Sequence, residues 1–111
     1  MERLPVETLK NFMVEVFKRS GVPEEDAEIC SEVLIASDLR GIESHGIGRL
    51  KMYYDRIKAG IQEPVTRIEV IKDKAATAVW DGNNGMGQVI SFRAMKTAIE
   101  KAKQFGLGAV A

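Results

Sequence analysis

Along the first sixty residues the apolar positions fall three and four apart. Val6, Leu9, Phe12, Met13, Val16 and Phe17 form one stripe, with Glu7, Lys10, Asn11, Glu15 and Lys18 between them. That period predicts an amphipathic helix from about Val6 to Ser20, stopped by Gly21. Pro23, followed by Glu24, Glu25 and Asp26, opens a second helix. Proline loses no needed N–H at the first helical position, and acidic side chains suit the positive end of the helix dipole. The buried stripe of this helix reads Ala27, Cys30, Val33 or Leu34, and Ser37, with Gly41 as its stop. A third helix is expected from His45 or Gly46 to about Ala59, on Ile47, Leu50, Tyr54 and Ile57, before Gly60.

Beyond Pro64 the period changes from helical to alternating. Arg67 to Ile71 alternates polar and apolar, Asp73-Lys74 reads as a turn, and Ala75 to Trp80 is a second short apolar stretch. These predict the two strands of a hairpin. A loop of three glycines and two asparagines, Gly82-Asn83-Asn84-Gly85-Met86-Gly87, leads into a fourth helix from about Met86 to Phe105. Val89, Phe92, Met95, Ile99 and Ala102 share one face of it, and Gly106 ends it. The uncharged tail Leu107 to Ala111 reads as one more strand, so strand, helix and strand make a β-α-β unit, parallel and buried on both faces. The expected architecture is a three-helix subdomain over residues 1–62, then the beginning of a mixed-sheet domain over residues 63–111. The chain is α/β in class, and α+β when taken as a fragment. A terminal apolar strand without a neighbour is an aggregation liability, which raises the expectation that the natural chain continues beyond Ala111. The alternative is that it simply closes a small α+β domain.

Composition narrows the field. The 111 residues carry 16 Lys and Arg against 16 Asp and Glu, and 45% are apolar, so a disordered chain is disfavoured. Zero net charge argues against a nucleic-acid binder, which needs an excess of cations on one face. One cysteine, Cys30, can form no internal disulfide, and no Cys/His pair has zinc spacing. The N-terminus lacks a signal-peptide core, and no apolar run approaches the ~18 residues of a membrane span. A cytoplasmic protein is the resulting expectation.

The densest chemistry lies in Ser37 to Leu50, which holds the single histidine, His45. An imidazole near neutral pH can give and accept a proton. Ser44 could hydrogen-bond its neighbourhood or cap a helix, and Arg49, four residues after His45 and so on the same face of the expected helix, could grip a carboxylate with two N–H groups. Blander readings stand beside these: His45 at the surface or as a cap, and Arg40 and Arg49 as partners of Asp38 and Glu43. The glycine loop before the fourth helix could receive an anion, but its Gly-x-x-Gly-x-Gly spacing is neither a dinucleotide fingerprint nor a Walker loop. A tight strand-to-helix turn with Asn83 and Asn84 left-handed is the plainer reading. Cys30 reads as an inert small hydrophobe.

Two segments together carry a resemblance. Asp38-Leu39-Arg40-Gly41-Ile42-Glu43-Ser44-His45-Gly46 with Arg49-Leu50, followed by Gly60, Pro64 and Asp81 to Gln88, resembles the N-terminal part of the malate/L-lactate dehydrogenase family of the non-Rossmann type. The family includes malate, L-sulfolactate and ureidoglycolate dehydrogenases and the diketogulonate and piperideine-carboxylate reductases. The resemblance implies hydride transfer between NAD or NADP and a small 2-hydroxy or 2-oxo acid. It implies His45 as proton donor and acceptor at the substrate oxygen, Ser44 in its relay, and Arg49 on the substrate carboxylate. Members are much longer, and their relay aspartate and most of their cofactor pocket have no counterpart here. The resemblance therefore implies an N-terminal part, inactive alone, in a homodimer or paired with the remainder of the enzyme. Two other readings stay open: one half of a split enzyme, and a non-catalytic module that presents helices and a sheet edge to a partner.

Overall fold

The computed structural model describes residues 2–111. The chain divides into two compact units, residues 1–65 and 66–111.

The first unit is helical. Helix α1 (Val6–Arg19) turns its narrow apolar edge inward, burying Met13 and Phe17 and leaving Phe12 exposed. It ends where Gly21 takes a left-handed φ of 98°, which lets the Val22 N–H reach back to the Phe17 carbonyl at 3.0 Å. Helix α2 (Glu24–Leu39) begins one residue after Pro23, whose carbonyl accepts the Ala27 N–H at 2.8 Å. Its inward face is Ala27, Cys30, Ser31, Leu34 and Ile35, while Val33 points outward. Helix α3 (Leu50–Lys58) closes the core with Leu50 and places Tyr53 6.4 Å from the Phe17 ring, centre to centre.

The third helix departs from expectation at its start. Between α2 and α3 the chain makes two 3₁₀ turns, Glu43–His45 and Ile47–Arg49, and the α-helix begins only at Leu50. Glycines at 41, 46 and 48 disfavour a continuous helix there, since each adds backbone entropy and no packing.

The second unit is a three-stranded mixed sheet with one helix. Strands β1 (Glu69–Asp73) and β2 (Thr77–Asp81) pair antiparallel, and β3 (Ala109–Val110) pairs parallel to β2, in the order β1-β2-β3. An irregularity between Val70 and Lys72 breaks the alternation and carries β1 two residues past the expected end. Helix α4 (Gly87–Phe105) makes the crossover between β2 and β3.

The face that α4 turns inward is its small one. Ala94, Ala98 and Ala102 are half-buried, whereas Phe92, Met95 and Ile99 are exposed. Gly108 explains the choice: a Cβ there would run into the Ala98 carbonyl and the Ala102 amide, so strand and helix touch backbone to backbone. Large side chains would hold them apart. The strands are consequently not buried on both faces, and β1 is exposed along its whole length.

Candidate active site

The two 3₁₀ turns carry all three candidate residues. Ser44 and His45 end the first turn, and Arg49 ends the second. Ser44 Oγ lies 2.9 Å from His45 Nδ1. Arg49 Nε donates to the Ser44 carbonyl at 2.7 Å, and its Nη1 lies 3.9 Å from Met52 Sδ. One chain of hydrogen bonds thus joins imidazole, hydroxyl-bearing residue and guanidinium. The expected link through a shared helix face is replaced by this backbone bridge, because residues 45–49 are not α-helical. Ser44 makes no cap bond.

The geometry has chemical consequences. With Nδ1 engaged by Ser44, Nε2 is the ring nitrogen of the exposed His45 that a substrate would meet. The Ser44 hydroxyl donates to Nδ1 when Nε2 carries the proton, and accepts from Nδ1–H when Nε2 is bare. Either tautomer therefore keeps its hydrogen bond. For Arg49, the bond from Nε to the backbone fixes the plane of the guanidinium and leaves its two terminal nitrogens to meet a carboxylate end-on.

Asp38 is the residue that sequence spacing pointed elsewhere. It stands in the last turn of α2, and its Oδ2 accepts the Ile47 N–H at 2.8 Å, a reach of nine residues. The carboxylate is thus engaged by backbone at the junction between the two turns. A cleft of about 800 Å³ borders this junction, walled by Leu4, Val6, Leu9, Ile35, Leu39 and Asp38 among others, and Ser44, His45 and Arg49 are not part of its wall. Ser44 and His45 are exposed and Arg49 is half-buried.

The glycine loop belongs to the second unit and is a packed turn. Asn83 and Asn84 adopt φ of 50° and 59°, and Asp81 Oδ1 accepts the Asn83 N–H at 2.8 Å. A Cβ at Gly82 would strike Ile90, and one at Gly85 would strike Thr66. The Met86 N–H, which a phosphate would need, is taken by Thr66 Oγ1 at 2.9 Å. Ile90 and Thr66 thus fill the space beside Gly82 and Gly85, and the Met86 N–H is not free to receive a phosphate. Among the described residues no cluster of three or more His, Cys, Asp or Glu could hold a metal ion, and no helix is long and apolar enough to cross a membrane.

The sequence pattern of malate/L-lactate dehydrogenase matches residues 4–111. The chain is 49% identical over 109 residues to a malate dehydrogenase of Pyrococcus abyssi, covering 98% of this chain and 30% of that protein. It is 46% identical over 108 residues to an L-sulfolactate dehydrogenase of Methanocaldococcus jannaschii, covering 97% of this chain and 31% of that one. The solved malate dehydrogenase of Pyrococcus horikoshii superposes with a TM-score of 0.95 at 47% identity, over 98% of this chain and 31% of its own. The chain spans about 30% of the length of the relatives it matches. With the family pattern running through nearly every residue, the chain belongs to the malate/L-lactate dehydrogenase family.

Proposed function

We propose that this chain supplies the proton-transfer and carboxylate-binding part of a nicotinamide-dependent dehydrogenase acting on a small 2-hydroxy acid or the matching 2-oxo acid. The observation that carries the reading is the hydrogen-bonded run Arg49–Ser44–His45 on two adjoining turns. Malate and sulfolactate, named for relatives at 49% and 46% identity, are both 2-hydroxy acids with a second acid group. A further relative, 35% identical, is named ureidoglycolate dehydrogenase (NAD(+)), which supports NAD or NADP as the redox partner. The reading extends to a cytoplasmic enzyme whose cofactor pocket is completed by the remainder of the enzyme or a second copy.

A bound nicotinamide would accept the hydride in the oxidative direction and supply it in the reductive one. What this chain's own residues do is handle the proton and the carboxylate. Arg49 holds the acid group by its terminal nitrogens and so turns the hydroxyl toward His45 Nε2. In the oxidative direction Nε2 takes the hydroxyl proton, while Nδ1–H donates to Ser44 Oγ. In the reductive direction the same path runs backward: the imidazolium gives its Nε2 proton to the new alkoxide, while Nδ1–H still donates to Ser44 Oγ.

The test uses a hybrid in which this chain replaces the matching segment of the Pyrococcus horikoshii malate dehydrogenase. His45→Ala is expected to lower kcat about 10²- to 10⁴-fold, the usual span of a general acid–base group, with cofactor affinity intact. Arg49→Ala is expected to act mainly on the KM of the acid. Near-normal turnover in His45→Ala would overturn the reading.

A further inference from the structure

We propose that Asp38 is the positioning residue of the site: its carboxylate locks the junction of the two 3₁₀ turns and so sets the aim of His45 relative to Arg49. The proposal rests on the acid–base reading of those two residues.

The junction needs a lock. Within each turn the backbone bonds are local: His45 N–H to the Ile42 carbonyl, Gly46 N–H to Glu43, and Arg49 N–H to Gly46. These hold each turn to itself and leave Gly46, the residue with no side chain, as the swivel between them. The Ile47 N–H is given to Asp38 Oδ2. A charged acceptor on a backbone N–H is among the stronger hydrogen bonds a protein makes.

The same carboxylate occupies the space beside the swivel. A methyl group added at Gly46 would overlap Cγ and both oxygens of Asp38. Asp38 thus both bonds one side of the junction and blocks rotation on the other. It can do so because its own backbone is rigid. Leu34 and Ile35, one turn earlier on α2, are buried in the core, and the helix ends in an orderly way, with Gly41 N–H on the Asp38 carbonyl and Ile42 N–H on Ser37. The far end of the second turn is held by buried Leu50. Between these two anchors, the Asp38 side chain bonds the Gly46–Ile47 peptide.

Asp38→Asn keeps an acceptor oxygen of nearly the same shape; Asp38→Ala removes it. In the hybrid enzyme, Asp38→Ala is expected to lower kcat/KM for the acid about 10- to 100-fold, the loss of a charge-assisted hydrogen bond. The loss is shared between a higher KM and a lower kcat, because both partners of the acid lose their aim, and the KM for the cofactor is unchanged. Asp38→Asn is expected to recover most of it. Gly46→Ala should damage the enzyme with Asp38 present, and add little to Asp38→Ala, where the methyl has room. In the 111-residue chain itself, nitrogen-15 NMR should show the Ile47 amide protected from exchange in the parent and in Asp38→Asn, and unprotected in Asp38→Ala. Unchanged kinetics in Asp38→Ala, in a hybrid that His45→Ala inactivates, would overturn the proposal and leave the proposed function standing. If His45→Ala is active, the function falls instead, and a protected Ile47 amide in Asp38→Ala would still refute the lock.

Discussion

The two units bury apolar side chains by different means. Residues 1–65 interlock large ones, with Met13 and Phe17 of α1 meeting Cys30, Leu34 and Ile35 of α2 and Leu50 of α3 in a closed core. Residues 66–111 bury Ala78, Met86 and Val89, and bring helix to strand through alanines and Gly108, leaving Phe92, Met95 and Ile99 in solvent. Interlocked large side chains give a stiff platform, because removing any one leaves a hole that its neighbours fill only partly. Close backbone contact gives a thin core held more by hydrogen bonds than by burial. The candidate site sits on the stiff platform, where two short turns between α2 and α3 inherit their position from helices that cannot easily shift.

The largest expected effect strikes the closed core. Phe17→Ala should cost about 3–5 kcal/mol of the first unit's stability, the usual range for a buried aromatic reduced to alanine. Each unit carries its own reporter: the single cysteine, Cys30, lies in the first, and the single tryptophan, Trp80, in the second. Burial, reinforced by the nearby Asp26 carboxylate, pushes the Cys30 thiol up to about 12 from an ordinary 9.0. At mildly alkaline pH the folded unit therefore presents almost no thiolate, and iodoacetamide labelling measures opening. The sign for stability follows. A raised value in the folded state means the contribution is whole below about pH 9.0 and is lost as pH climbs toward 12. Phe17→Ala should accelerate labelling strongly while Trp80 fluorescence reports little change. A Trp80 transition that moves together with Cys30 labelling would show the units melting as one and break the comparison.

A smaller effect tests the hydrogen-bonded unit. Thr66 is buried, and its hydroxyl accepts the Met86 N–H at the head of α4. Thr66→Val keeps the shape and strands that N–H, at about 1–3 kcal/mol. Trp80 fluorescence in urea should show the midpoint falling, with Cys30 labelling unaffected. If instead valine is neutral, burial outweighs hydrogen bonding in this unit and the contrast with the first one weakens.

The sequence made the periodic features legible and missed the non-local ones. Helix α1 was readable because Leu9, Met13, Val16 and Phe17 recur on one face, and the stops at Gly21 and Gly106 because left-handed φ favours glycine there. The stripe on α4 was equally readable but its direction was not. That depends on Gly108, ten residues beyond Ala98, which lets the small face win over the large one. At the site, His45, Ser44 and Arg49 stand close in sequence, so spacing alone assembled them. Asp38 could be placed only as an ion-pair partner for arginines, since its bond to the Ile47 amide depends on two 3₁₀ turns that no period announces. The one available signal was Gly46, a glycine between functional residues where a side chain would collide.

The smallest effect probes what joins α4 to the hairpin. Lys101 Nζ meets Asp73 Oδ1 at 2.5 Å and the Lys74 carbonyl at 2.7 Å, from a side chain that is 13% exposed. Its stem lies along the protein while its ammonium closes over the β1–β2 turn, whose own bond is Lys74 N–H to the Thr77 carbonyl. Asp73 is largely exposed, so the charge pair is screened and contributes little by itself. The bond to a backbone carbonyl adds to it, and together they stabilise the unit by about 1 kcal/mol. Lys101→Met keeps the packing of the stem and removes both bonds. The Trp80 midpoint should drop slightly in low salt, and most of the drop should persist at 1 M salt, because the carbonyl bond is not an ion pair. A loss that vanishes in high salt would assign the clasp to charge alone. The second unit would then be held at this corner by its weakest kind of contact.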